Sequence, residues 1–227
     1  PITVLWIVGV INAINLIDGL DGLAAGVAIF ASITNFVVAY IGGSTLTALL
    51  MAPLFGAAVG FLIYNFNPAR IFMGDSGSYF IGYVLATAAL AGSHQKASTT
   101  VALLVPVVAL GVPIFDTLFA MVRRFLERRP IFSPDRGHIH HRLLDMGLTH
   151  RRAVLIIYGV SIVLTVSAVA ISLGRSWQVG LAIATSSIVL IALVRFVGYF
   201  DYVHLLRRQR ARFRSRHAEM LRYLLPE

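Results

Sequence analysis

The sequence has no cysteine and few charged residues, and both shortages limit the class of protein. Only 13% of the 227 residues are charged, whereas 58% are hydrophobic and the mean hydropathy is +0.81. A soluble domain is about 25% charged and about 45–50% apolar, and one core of this size cannot bury so much apolar surface. Without cysteine there is no disulfide scaffold, and the 19 glycines follow no collagen period. The composition predicts a membrane protein.

Acidic residues are especially scarce: 10 stand against 19 Lys and Arg, which gives a formal net charge of +9. In a soluble protein this balance suggests a nucleic-acid partner. In a membrane protein it is better explained by topology and by anionic lipid headgroups. We therefore expect no nucleic acid as a partner.

Long apolar runs predict an all-α, polytopic membrane helix bundle, because a span needs roughly 20 apolar residues. The first run opens at Pro1 without a basic leader and looks clipped, so we expect the chain to be part of a larger bundle. Seven candidate segments are found: Pro1–Asn15, Leu23–Ile41, Thr47–Asn65, Ser78–Ala91, Thr100–Val122, Ala153–Leu173 and Val179–Tyr199.

The connectors alternate between short uncharged ones and polar ones, and the polar set comprises residues 16–22, 66–77 and 123–152 and the tail after Phe200. Apart from Lys96 and Arg175, all Lys and Arg lie in this set or at its border. Positive connectors stay in the cytoplasm, so the polar set is predicted to be cytoplasmic. We divide the chain into a membrane domain, 1–203, and a basic cytoplasmic tail, 204–227, which is expected to bind anionic headgroups.

The first polar cluster is Asn15, Asp18 and Asp21, which are spaced three apart and would share one face of a helical turn. Their oxygens suit Mg²⁺ or the N–H and hydroxyl groups of a nucleoside. An acidic cap on the next helix would explain one acid, but not the whole set.

The second cluster surrounds Asp75 in Asn65-Phe-Asn-Pro-Ala-Arg-Ile-Phe-Met-Gly-Asp-Ser-Gly-Ser78. A loop that opens a helix offers backbone N–H groups to phosphate, and its carboxylate can hold Mg²⁺. Phe72 offers a face for a base. A simple N-cap and turn is the alternative.

The third cluster is Arg136-Gly-His138-Ile-His140-His141-Arg142. Zn²⁺ is one option, but the nearby acids are few and cysteine is absent. Clustered donors suit a multiply charged phosphate better, and a solvated basic loop is the plain alternative. Asp116, inside an apolar segment, either joins this site or satisfies a backbone N–H freed by a proline kink.

Taken together, in this order and on one face, the three clusters resemble those of the polyprenyl-phosphate N-acetylhexosamine-1-phosphate transferases, from Ile11 to about Leu155. That family has more spans and an earlier aspartate pair that this chain lacks, consistent with a clipped start. The form around His138–Arg142 looks like the branch that uses UDP-N-acetylglucosamine, because the muramyl-pentapeptide branch tends to carry an acid where Arg142 stands.

The resemblance implies a role for each matching residue. Mg²⁺, for which Mn²⁺ can substitute, would be held by Asp75 and Asn15. The catalytic residues would be Asp18, Asp21, Asp75, His140 and His141. The substrate-binding residues would be Asn65, Phe72, Arg136, His138 and Arg142.

The implied reaction moves N-acetylglucosamine-1-phosphate from a UDP-sugar to polyprenyl (undecaprenyl) phosphate and releases UMP. It would be the first membrane step of cell-wall or surface-polysaccharide synthesis, on the cytoplasmic face of the bacterial inner membrane. A homodimer is among the expected states. The alternatives are a phospho-N-acetylmuramoyl-pentapeptide transferase, a transporter or channel, and a non-catalytic scaffold. No internal repeat favours a transporter.

Overall fold

The computed structural model describes residues 1–92, 99–126, 128, 130, 137–196 and 198. Within these ranges the regular structure is helical, without strands. The basic tail, 204–227, and Arg136 lie outside the described residues. In chain order the helices are α1 (Ile2–Ile17), α2 (Leu23–Gly42), α3 (Thr45–Asn65), α4 (Gly74–Gly92), α5 (Thr99–Ala109), α6 (Gly111–Leu126), α7 (Ile139–Asp145), α8 (His150–Leu173) and α9 (Ser176–Phe196).

The helices confirm the predicted class, a polytopic membrane helix bundle. In the described part of the chain, α2, α3, α8 and α9 are long and apolar enough to cross a bilayer, and α1 is a shorter apolar helix. One compact unit, Pro1–Leu190, contains α1 to α8 and most of α9. The second unit begins at Ile191, and its described residues are the last turns of α9 and residue 198.

The prediction of one span over Thr100–Val122 was wrong, because the structure has two helices there, α5 and α6, which meet at Leu110. Pro113 has no N–H to donate to the carbonyl of Ala109, and Pro106 lacks a donor about two turns earlier. The Leu110 N–H donates to the Pro106 oxygen at 2.9 Å, so the backbone is hydrogen-bonded up to the break.

The predicted connectors are shorter in the structure. Helix α1 continues to Ile17, and α4 begins at Gly74, so Asp75 lies in its first turn, where a negative charge favours the helix dipole. The connector predicted over 123–152 contains the end of α6, all of α7 and the start of α8. Regular structure therefore reaches into each polar cluster.

Helix α2 packs against α3 and α8, and α1 packs against α4. The inner face of α2 carries small buried side chains, which let neighbouring helices approach closely: Ala24, Ala25, Ala28 and Ala31. At the crossing of α1 and α4, a Cβ built on Gly82 would lie 2.7 Å from the Cα of Ile11. The two backbones are therefore in direct contact.

Gly82→Ala is expected to destabilise the protein by about 1–3 kcal/mol, because α1 and α4 must separate to admit the methyl group. Thermal unfolding in detergent measures the effect. Gly56→Ala in α3 is the matched control, since a Cβ there meets nothing within 4 Å. Equal midpoints for the two variants would contradict the prediction.

Candidate active site

The acidic loop, Asp18–Gly22, connects α1 to α2 at one end of the bundle. Asp18 caps α1, and its N–H donates to the Asn15 oxygen at 3.1 Å. Gly22 adopts a left-handed conformation, with φ +81°, and so starts α2 in a new direction. The prediction that Asn15, Asp18 and Asp21 share one helical face was wrong, because the helix ends at Ile17.

Asn15 and Asp75, which are far apart in sequence, are in direct contact. The Asn15 Nδ2 donates to the Asp75 Oδ1 and to the Ser78 Oγ, both at 3.0 Å. The Ser78 hydroxyl donates to the backbone oxygen of Asp75 at 3.2 Å. These bonds engage the nitrogen of the Asn15 amide, while the Asp75 side chain lies exposed at the start of α4. The Asn15 amide and the Asp75 carboxylate therefore lie at the same end of the bundle.

Asp18 belongs to the same acidic group. Burial, followed by the negative charge of Asp75, raises the pKa of the Asp18 carboxyl to about 6. A cation nearby would stabilise the charged form of the Asp18 carboxyl.

These groups offer the type of ligand atom that Mg²⁺ prefers, which is oxygen. Mg²⁺ is usually held by one or two carboxylates, with water and substrate phosphates completing its shell, and Asp75, Asp18 and the Asn15 carbonyl supply oxygen only. The mutual repulsion of Asp18 and Asp75 favours a cation between them. Across the described ranges, no group of three or more His, Cys, Asp and Glu is placed to form an all-protein metal cage.

Asp21 turns away from this group and binds the connector between α3 and α4. Its Oδ2 accepts from the Asn67 Nδ2 at 2.9 Å and from the Ala69 N–H at 3.1 Å. The Arg151 Nε donates to the Asn67 oxygen at 2.9 Å from the start of α8. The Asn67–Pro68 peptide in this connector is cis. Asp21 thus fixes the position of one loop against another.

Asn65 is buried and joins the same two loops. Its Oδ1 accepts from the Gly22 N–H at 3.0 Å, and its Nδ2 donates to the Ile71 oxygen at 2.8 Å. Both ends of the amide are therefore bound within the protein. The neighbouring Phe72 is 76% exposed, which leaves its ring open to a planar ligand.

Tyr158, which the sequence did not single out, holds the acidic loop from α8. Its hydroxyl donates to the Gly22 oxygen at 2.5 Å. A Cβ built on Gly26 would lie 2.0 Å from the Tyr158 ring, so only glycine leaves room for that side chain. Nothing in the sequence identified Tyr158 as the partner of Gly26.

The three histidines lie at the start of α7. Their ring centroids are 5.9 Å apart between His138 and His140, and 4.3 Å apart between His140 and His141. His140 is buried, and neither of its ring nitrogens has a partner among the described residues. Burial, followed by the positive charge of His141, lowers the pKa of His140 to about 4, so the ring is neutral at pH 7.

His140 lies directly against the acidic loop. A Cβ built on Gly19 would be 2.3 Å from the His140 Nε2. The first and third sequence clusters therefore touch at this point, and Gly19 has no side chain because the imidazole occupies that space.

Asp116 belongs to the histidine cluster and does not serve its own helix. Its Oδ2 lies 2.9 Å from the His138 Nδ1, and its Oδ1 accepts from the Ile139 N–H at 2.8 Å. This settles the alternative that the sequence left open.

Two arginines converge beside the histidines. The Arg123 Nη1 and the Arg142 Nε donate to the Gly137 oxygen at 2.9 Å and 3.0 Å. The Arg142 guanidinium also lies 6.0 Å from the centre of the Phe119 ring. Positive charge is thus placed beside the histidine cluster.

The fold and the site define a membrane helix bundle with an acidic and histidine-lined site at one end. Residues 1–93 match the model of glycosyl transferase family 4. It is 49% identical over 177 residues to "Probable undecaprenyl-phosphate N-acetylglucosaminyl 1-phosphate transferase" of Bacillus subtilis, covering 78% of this chain and 49% of the relative.

Two further relatives extend the comparison. "Decaprenyl-phosphate N-acetylglucosaminephosphotransferase" of Mycobacterium tuberculosis is 47% identical over 49% of this chain and 30% of its own length. "Phospho-N-acetylmuramoyl-pentapeptide-transferase" of Rubrobacter xylanophilus is 38% identical over 59% of this chain and 38% of its own length. The chain spans half or less of the length of these relatives.

Proposed function

We propose that the whole protein transfers N-acetylglucosamine-1-phosphate from UDP-N-acetylglucosamine to a polyprenyl phosphate, with release of UMP. The observation that carries the proposal is the meeting of three clusters at one site: Asn15 binds Asp75, and His140 packs against Gly19. The names of the two more similar relatives support the sugar and the lipid acceptor.

The reaction is an exchange at the β-phosphorus of the donor. An oxygen of the polyprenyl phosphate forms a bond to that phosphorus, the bond to the UMP oxygen breaks, and UMP leaves with the electron pair. The acceptor is already an anion near neutral pH, so no strong base is required. Alignment and charge neutralisation can provide most of the rate.

Mg²⁺ would be held by Asp75 with Asn15 and Asp18, and when bound it neutralises charge on the diphosphate oxygens. Arg142 places a further positive charge at the site, and the exposed Phe72 ring can stack on uracil. Asp21 and Asn65 hold the two loops in register through their hydrogen bonds. His141 would contact the sugar diphosphate from α7, and the buried His140 would act through its packing against the acidic loop.

The position of the site suits one substrate from the lipid bilayer and one from the aqueous solution. A polyprenyl tail stays in hydrocarbon while its phosphate meets a water-soluble nucleotide at the surface. The site lies at the ends of helices, beside the polar connectors whose positive charge predicts a cytoplasmic location. The proposed location is therefore the cytoplasmic face of the bacterial inner membrane.

The test follows radiolabel from UDP-N-acetylglucosamine into butanol-extractable lipid, in membranes that contain the whole protein. We expect label to depend on Mg²⁺, to fall more than about 100-fold with EDTA and to return with added Mg²⁺ or Mn²⁺. UDP-N-acetylmuramoyl-pentapeptide serves as the competing donor. Transfer from that donor alone would overturn the sugar assignment. Full activity in EDTA would overturn the proposed requirement for Mg²⁺. Solute flux across sealed vesicles without UMP release would favour a transporter.

A further inference from the structure

Asp116 is a buried carboxylate whose two oxygens have different partners. It is 3% exposed, in α6. Its Oδ1 accepts from the backbone N–H of Ile139 at 2.8 Å, and its Oδ2 lies 2.9 Å from the His138 Nδ1. Both partners belong to the first residues of the histidine cluster, which lies 22 and 23 residues further along the chain.

We propose that Asp116 is the positioning residue of the histidine cluster: it keeps a proton on the His138 Nδ1 and fixes the first turn of α7. This inference rests on the proposed function, because in that function Asp116 would hold the histidine cluster in the position that the sugar diphosphate requires. An ionised carboxylate can only accept a hydrogen bond, so the His138 Nδ1 must donate. In the neutral ring, the Nε2 is then the hydrogen-bond acceptor.

The chemistry of the contact requires a carboxylate. An amide or a hydroxyl would satisfy the Ile139 N–H at lower cost, because burying a charge is more expensive than burying a neutral polar group. What an amide lacks is a second acceptor, since one of its two ends donates. The contact with His138 is therefore the reason for an acid at this position.

The effect of Asp116 extends to the acidic loop through packed rings. His138 stacks on His140, with planes 10° apart and centroids separated by 5.9 Å. His140 in turn lies against Gly19, next to Asp18. A change at the start of α7 therefore displaces the ring that contacts the acidic loop.

Asp116→Asn isolates this role because the amide has nearly the same shape. Its oxygen can still accept from the Ile139 N–H, while its NH₂ group faces the His138 Nδ1 and drives the proton to the Nε2. We expect unfolding within a few degrees of the parent and a loss of transferase activity on the order of 100-fold. Asp145→Asn, an exposed acid at the end of α7, is the matched control and is expected to retain parental activity.

The direct readout is the protonation of the His138 ring, measured by ¹⁵N NMR of histidine-labelled protein and assigned with His138→Ala. The Nδ1 should carry a proton in the parent and lose it in Asp116→Asn. A merely structural acid would leave that proton in place. An unprotonated Nδ1 in the parent, or parental activity in Asp116→Asn, would overturn the proposal.

His138→Asn keeps the proposal testable if Asp116→Asn fails to fold. The asparagine amide can still donate to Asp116 but has no equivalent of the Nε2, so the variant should fold and lose activity to a similar extent. Parental activity in this variant also overturns the proposal. If the parent transfers no sugar phosphate at all, the proposed function fails, whereas the proton on the His138 Nδ1 is still measured independently.

Discussion

Asp75→Asn is expected to reduce sugar-phosphate transfer by about 1,000-fold or more while leaving the protein folded. The substitution removes the negative charge that Asn15 orients and that helps to hold Mg²⁺. Because the Asp75 side chain is exposed, its removal costs little stability beyond the favourable dipole contact of about 0.3–1 kcal/mol.

The measurement is initial rate against Mg²⁺ concentration, in membranes with equal amounts of folded protein. Asp145→Asn makes the same chemical change on an exposed acid outside the acidic group, and it should behave like the parent. If Asp75→Asn turned over at a near-normal rate with an unchanged Mg²⁺ requirement, Asp75 would be excluded from the metal site.

Gly19→Ala is expected to lower the rate by about 100-fold, because a small misplacement of catalytic groups has effects of that size. The new methyl group would lie 2.3 Å from the His140 Nε2, so the ring or the acidic loop must move. The imidazole is buried between its neighbours and has little room to yield.

Activity and thermal unfolding of Gly19→Ala should be measured together with those of Gly9→Ala. A Cβ at Gly9 meets nothing within 4 Å, so this control makes the same substitution in open space. A normal rate for Gly19→Ala would mean that the contact between the acidic loop and α7 has no part in the reaction.

Hydropathy was sufficient to predict the bundle and the approximate positions of its long apolar helices, because those apolar runs are bounded by polar residues, but it missed the short helix α7. It did not predict the break at Leu110, since the apolar run continues through it. The break depends on where Pro113 falls relative to the carbonyl of Ala109.

The sequence predicted which residues form the three clusters of the site, but it did not predict which of those residues contact one another. Residue types identified the three clusters, yet the spacing of Asn15, Asp18 and Asp21 gave the wrong geometry once α1 ended at Ile17. Tyr158 was missed and Asp116 was left undecided, because their partners are 136 and 22 residues away in sequence. Only the packing of helices brings such residues together.

The bond from Tyr158 to Gly22 also sets an order of events during synthesis. The two residues are 136 positions apart, so at about 5–20 residues per second the ribosome makes Tyr158 roughly 7 to 30 s after Gly22. By the end of that interval the nascent chain contains Asp18, Asp21 and Asp75, but its acidic loop still has no anchor from α8. A polypeptide that stops before α8 would therefore carry these acids into the membrane without a finished site.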